Sequence, residues 1–119
     1  MLSLPTESVI HKNLWEEFPE ILGTKFHEAY VKAGAEVLET NTFGANRFKL
    51  SQYGLEEQTR AINQRAAEIA REAAGNNRLV AGAVGPLGIR IEPFGPTSRS
   101  EAQDVFREQM EALKAGGAD

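Results

Sequence analysis

The stretch Lys32-Ala33-Gly34-Ala35-Glu36-Val37-Leu38-Glu39-Thr40-Asn41-Thr42 contains a helix end, a glycine turn and the start of a strand. Glycine is the residue that tolerates the left-handed position just past a helix, so Gly34 is read as the terminator. Residues 37–42 then form a short strand, followed by a glycine-containing loop, Phe43-Gly44-Ala45-Asn46, and one helical turn through Leu50. Upstream, the spacing of Leu22, Phe26, Ala29, Tyr30 and Ala33 marks one face of a helix over residues 18–33. Pro19 suits its first turn, where the missing N–H would lack a partner anyway.

Downstream, a second helix spans residues 56–74, with Ile62, Ala66, Ile69 and Ala73 as its apolar stripe and Gly75-Asn76-Asn77 as its stop. The uninterrupted run Leu79-Val80-Ala81-Gly82-Ala83-Val84 suits a strand covered on both faces of a parallel sheet. Residues 85–96 are rich in proline and glycine and read as an extended loop. Ser98 or Ser100 caps the last helix, and Ser98-Arg99-Ser100-Glu101 fits a capping box. Ala102, Phe106, Met110 and Leu113 form its expected buried face, and Gly116-Gly117 ends it.

Helix, strand, helix, strand, helix is the order of parallel β/α units joined by crossover helices. Lys114-Ala115-Gly116-Gly117-Ala118-Asp119 repeats the Lys32-Ala33-Gly34-Ala35-Glu36 helix end almost residue for residue. By that precedent another strand should begin after Asp119, and no strand-like run precedes the first helix. Two strands cannot close a barrel, and as an open sheet they leave both edges unpaired. The expectation is a piece of a larger α/β fold.

Composition narrows the function classes. The 119 residues carry 13 Lys+Arg against 17 Asp+Glu, a formal net charge of −4. That balance offers no basic excess for a phosphate backbone, so nucleic acid is not an expected partner. No apolar run approaches the roughly 20 residues of a membrane helix, so no membrane partner is expected either. The first ten residues lack the basic and apolar regions of a signal peptide, which points to the cytoplasm. With no cysteine, the chain has neither disulfides nor thiolate metal ligands of its own.

In parallel α/β folds chemistry gathers where strands end and loops converge. The first such place, residues 40–46, supplies hydroxyl and amide groups, an aromatic wall and a glycine. The competing reading is that Thr42 and Asn46 cap the following turn while Phe43 packs against the barrel. The second place is Val84-Gly85-Pro86-Leu87-Gly88. Its Gly82, Gly85 and Gly88 do not match the dinucleotide spacing, and no helix follows to receive a phosphate, so a sharp turn with substrate contact is the better reading. Glu39 is the carboxylate inside a strand; facing inward it would orient a substrate amine, and facing outward it would serve as a salt-bridge partner. The inward orientation is expected, because buried carboxylates mark sites. His11 and His27 lack a second ligand at metal spacing and read as surface residues, with His27 on the exposed side of its helix. Glu56, Glu57, Arg60, Arg65, Glu68, Arg71 and Glu72 read as a solvated helix face.

The block from Phe26 to Leu50, with Glu39-Thr40-Asn41-Thr42-Phe43-Gly44-Ala45-Asn46 at its centre, resembles the second β/α unit of the homocysteine S-methyltransferase family. That family includes the homocysteine-binding domain of methionine synthase and betaine–homocysteine methyltransferase. Ala81-Gly82-Ala83-Val84-Gly85-Pro86-Leu87-Gly88 resembles the family's third strand and its Gly-Pro turn. The stretch from Glu92 to Asp119 is most similar to bacterial proteins that join this domain to a methylenetetrahydrofolate reductase domain. The resemblance implies about half of a (β/α)8 TIM barrel. Residues 1–15 would be an irregular lead-in, and residues 16–119 would supply units two and three plus the helix before strand four. It implies methyl transfer to homocysteine, with zinc on three cysteines lowering the thiol's pKa, and cobalamin or folate bound elsewhere in such proteins.

The family's opening strand is not found before Leu14, and the zinc cysteines are absent from this chain. No residue is therefore expected to act as nucleophile, base or metal ligand. Glu39, Asn41, Thr42, Phe43 and Asn46 are expected at the substrate mouth, with Gly85 and Gly88 shaping the adjoining turn. The alternatives are a catalytically silent half-barrel that self-associates through its open sheet edges, or another TIM-barrel enzyme.

Overall fold

A computed structural model describes residues 18–119, with side chains from Lys25 onward. The expected lead-in, His11 and the side chain of Leu22 lie outside the described residues. The elements follow in the order α1 (Phe18–Lys32), β1 (Val37–Glu39), α2 (Arg47–Ser51), a 3-10 turn (Glu56–Gln58), α3 (Thr59–Ala74), β2 (Leu79–Ala81) and α4 (Arg99–Ala115). Among the described residues β1 and β2 form a two-stranded parallel sheet, with Val37, Leu38 and Glu39 opposite Leu79, Val80 and Ala81. Both strands are three residues long, half the expected span. The shortening has a cause: after Thr40 N–H donates to Ala81 O, side chains take over the pairing.

The repeated helix ends fold alike. Gly34 and Gly117 have φ of 92° and 111°, the left-handed region where a side chain would be strained. After each, the next amide reaches five residues back, Ala35 N to Tyr30 O at 3.0 Å and Ala118 N to Leu113 O at 3.1 Å. These bonds satisfy carbonyls that a helix end leaves unpaired. Each turn then delivers the chain to a sheet edge. Leu79 N donates to Glu36 O at 3.0 Å, and Asp119 N donates to Val80 O at 2.9 Å on the other edge of β2. Val80 N returns a bond to Asp119 Oδ2, and with the neighbouring Arg71 guanidinium it holds the Asp119 carboxyl below its ordinary pKa.

The main core lies between the sheet and the helices. Leu38 and Val80 point to one face, where they meet Ala67, Ala70 and Ala74 of α3, Leu113 of α4, and Ala118. Small alanines let the helix axis approach the sheet closely. Smaller clusters gather Ala45, Leu50, Leu55 and Ile62 beneath α2, and Leu87, Ala102 and Val105 beneath α4. The opposite sheet face carries Val37 and Leu79, both about half exposed.

Several expectations are corrected here. The α1 stripe is outside: Phe26, Ala29, Tyr30 and Ala33 are exposed, whereas His27 is 2% exposed. The helix is rotated so that Val31 packs on the core and burial holds the His27 imidazole below its ordinary pKa. Met110 is half exposed, and the inner line of α4 runs through Ala102, Val105, Gln109, Ala112 and Leu113. Arg71 is not a solvated charge. Its guanidinium donates to Gly117 O, Gly75 O and Arg78 O, tying together the ends of α3 and α4 and the start of β2.

Candidate functional site

The strands end side by side, and the segments leaving them touch at once. Thr40 and Thr42 lie in the interior, 3% and 0% exposed. Thr42 Oγ1 donates to Ala83 O at 2.7 Å, which uses its one hydrogen. The 2.7 Å contact between the two hydroxyls must therefore run from Thr40 to Thr42, while Thr40 Oγ1 accepts from Ala83 N at 2.9 Å. The relay leaves Ala83 through its N–H and returns to it at its C=O. Two side chains thus extend the strand pairing after the backbone ladder has stopped.

Asn46 is fully buried and caps α2, its Oδ1 accepting from Lys49 N at 2.9 Å. Its Nδ2 crosses to Pro86 O at 3.3 Å. Gly85 N donates to Phe43 O at 3.1 Å, and a β-carbon on Gly85 would stand 2.5 Å from that same oxygen. Glycine is needed at 85 because backbone from the first loop occupies the space of a side chain. Gly88 adopts φ of 78° and turns the second segment away, with Lys49 alongside.

The predicted residues therefore divide into two groups. Thr42, Asn46 and Gly85 are buried, and their polar groups are committed to holding the two loops together. The capping reading holds for Asn46; Thr42 bonds across the sheet instead. Glu39, Asn41 and Phe43 are exposed. Phe43 is 60% exposed, with Lys49 Nζ 5.4 Å from its ring centre, so the aromatic wall stands free of the core and carries a cation above it. Glu39 lies on the sheet face turned away from α3, beside a cleft of about 230 Å³ lined also by Phe26, His27, Tyr30 and Val37.

Sequence reading placed Thr40 in the loop without its role and missed two contributors outright. Thr40 closes the hydroxyl relay. Asn63 and Gln109, both 0% exposed, reach the first loop from α3 and α4. Their signal was a polar residue in buried register: Asn63 beside Ile62 and Ala66, Gln109 between Val105 and Ala112. Nearby, Arg47 Nε–H donates a bifurcated hydrogen bond to both carboxylate oxygens of Glu108, and Nη1 donates to Glu57. The bond to Glu108 is the main reason the guanidinium is held above its ordinary pKa.

The zinc that the sequence resemblance implies would need soft thiolate donors. The chain has no cysteine, and among the described residues no group of three or more His, Asp or Glu could hold a metal ion. These residues do not fit that ion. No helix among the described residues is long and apolar enough to cross a membrane.

Comparison with known proteins sets this geometry in context. A sequence model described as homocysteine S-methyltransferase matches residues 3–119. Methionine synthases from Mycobacterium leprae and Mycobacterium tuberculosis are 36% and 34% identical over 110 residues, or 87% of this chain and 9% of theirs. The crystal structure of the homocysteine methyltransferase MmuM from Escherichia coli, in its metallated form, superposes with a TM-score of 0.76 at 30% identity. The match covers 99% of this chain and 46% of that one. The chain thus spans about a tenth of the synthases and under half of the solved relative.

Proposed function

The chain belongs to the homocysteine S-methyltransferase family, and from that premise we propose that it forms one side of a homocysteine site in a methyl-transferring TIM barrel. In this reading residues 16–119 are the second and third β/α units and the helix leading to strand four. The observation that carries it is the pair of strand-end loops, locked together so that Glu39, Asn41 and Phe43 remain outside while the other polar groups are consumed within. Glu39 would accept from the substrate ammonium, Asn41 would bond its carboxylate, and Phe43 would line its methylene chain. Thr42, Asn46, Gly85 and Gly88 shape the mouth from behind.

In the reaction the homocysteine thiol gives up its proton to solvent, its sulfur bonds to the donor's methyl carbon, and the donor keeps the electron pair of the breaking bond. Activation of the thiol by zinc, and any binding of cobalamin or folate, belongs to residues outside this segment. The test is methionine formation by the protein that carries these residues, given homocysteine and a sulfonium, a quaternary ammonium or a methylated folate donor in turn. Methionine is expected with one of them. Failure with all three would overturn the reading.

A second reading, assembly of copies through the open sheet, is favoured by the half-exposed Val37 and Leu79 on its uncovered face. Light scattering of the 119-residue chain decides it: a dimer is expected, and a stable cooperative monomer would dismiss it.

A further inference from the structure

We infer that Asn63 and Gln109 are positioning residues for substrate: two buried amides, from different helices, that set the backbone of residues 42–45 from behind. Gln109 Nε2 donates to Thr42 O at 2.8 Å and to Asn63 Oδ1 at 3.1 Å. Asn63 Nδ2 donates to Ala45 O and to Thr59 O, each at 2.8 Å. The two amides thus form one relay whose outputs end on the carbonyls at both ends of the turn, which Ala45 N also closes onto Thr42 O at 3.0 Å. Every donor hydrogen of the two side chains is used. Reversing either amide would set oxygen against carbonyl oxygen, so the orientation is dictated by the acceptors.

Stability alone does not explain this arrangement. Gln109 Oε1 is buried with no hydrogen-bond partner, a cost that an apolar pair in place of Gln109 and Asn63 would avoid. Gln109 stands on α4, 67 residues from the loop it holds, and belongs to an otherwise apolar line of Ala102, Val105, Ala112 and Leu113. What the relay adds is direction. With Thr42 O and Ala45 O drawn inward, the intervening Phe43 is presented to solvent and its carbonyl receives Gly85 N–H. The wall of the proposed substrate mouth therefore takes its place from two helices on the far side of the loop.

The functional half of this inference rests on the homocysteine reading above, so two measurements are paired. In the 119-residue chain, amide hydrogen exchange is compared between the unaltered protein, Gln109→Met and Asn63→Leu. Loss of the relay's hold on one loop carbonyl should speed exchange at the Ala45 and Gly85 amides about tenfold, while Thr40 and Leu79 amides in the sheet keep their protection. The double variant should fall short of the sum of the two single ones, because the Gln109–Asn63 bond is lost in all three. Unchanged loop exchange, or a uniform loss across α3 and α4, would overturn the positioning role.

In the methyl-transferring protein, Gln109→Met should raise the homocysteine KM by about tenfold with kcat changed by less than about threefold, the signature of lost binding shared by ground and transition states. Ile69→Ala, in α3 but away from the loop, should lower thermal stability and leave KM unchanged. Equal KM in Gln109→Met and the unaltered protein would overturn the substrate role. If the unaltered protein transfers no methyl group, the reading of function falls, and hydrogen exchange decides the positioning of the loop by itself.

Discussion

Residues 42–46 and residues 88–96 both follow the carboxyl end of a strand, yet they are built in opposite ways. In the first, Thr42, Ala45 and Asn46 are 0% exposed, and their polar groups bond to Ala83 and Pro86 just past β2, to α2 and to α3. In the second, Phe94 is 84% exposed, Ile89 and Ile91 are about two-fifths exposed, and the bonds that close the segment are local, from Glu92 N to Thr97 O, Phe94 N to Ile91 O and Arg99 N to Glu92 Oε1. Polar residues are thus inside in one loop and apolar residues outside in the other. The contrast teaches that the residue types suggesting a binding loop are here mostly its scaffold. The groups left free for a ligand are those the scaffold does not use.

The sharpest way to break this contrast is at the contact between the loops. Gly85→Ala places a β-carbon 2.5 Å from the Phe43 carbonyl oxygen, so one of the two backbones must shift. Urea unfolding should show a loss of about 3 kcal/mol. Next comes Thr42→Val, which keeps the shape and removes the hydroxyl between Thr40 and Ala83. It should cost about 1–3 kcal/mol, because Ala83 O loses its donor and the Thr40 hydroxyl hydrogen its acceptor, both in the interior. Asn46→Ala loses the α2 cap and the link to Pro86, and a thermal melt should record about 1–2 kcal/mol.

His27 adds a pH dependence from outside both loops. Burial lowers its folded pKa from 6.5, so the folded state disfavours the proton. Its contribution to stability is fully present above 6.5 and is lost as pH falls through the lowered folded value. His27→Gln should flatten the stability profile over that interval. The smallest effect belongs to the exposed loop, where Phe94→Ser should change stability by no more than about 0.5 kcal/mol. A larger loss there would mean that the second loop is as integrated as the first.

The helix ends were the most legible part of the sequence. Glycine just past a helix end is suited to the left-handed position, and Gly34 and Gly117 both adopt it, Gly117 one residue later than the Lys-Ala-Gly match because Gly116 stays helical with φ of −81°. The cap at Ser98 was equally readable, since its Oγ accepts from Glu101 N as the motif requires. Periodicity located α1 but chose the wrong face, because aromatic Phe26 and Tyr30 outweigh His27 in any apolar count while the packed side of the helix lies one residue away. The strand-end loop was legible in composition and not in role. Whether Asn46 binds a ligand or a helix end depends on where its amide points, and that is set by Lys49 N and Pro86 O. Asn63 and Gln109 were hidden for a related reason: their partners are loop carbonyls 18 and 67 residues away, which local spacing does not reveal.

The central claim is that Asn41 and Phe43 contact homocysteine while the groups behind them hold the loop. Calorimetric titration of homocysteine into the methyl-transferring protein and its Asn41→Ala and Phe43→Ala variants tests it most directly. Each variant should bind about tenfold more weakly with a melting temperature little changed, as expected for side chains that stand exposed to solvent. Unaltered affinity in both would contradict the account.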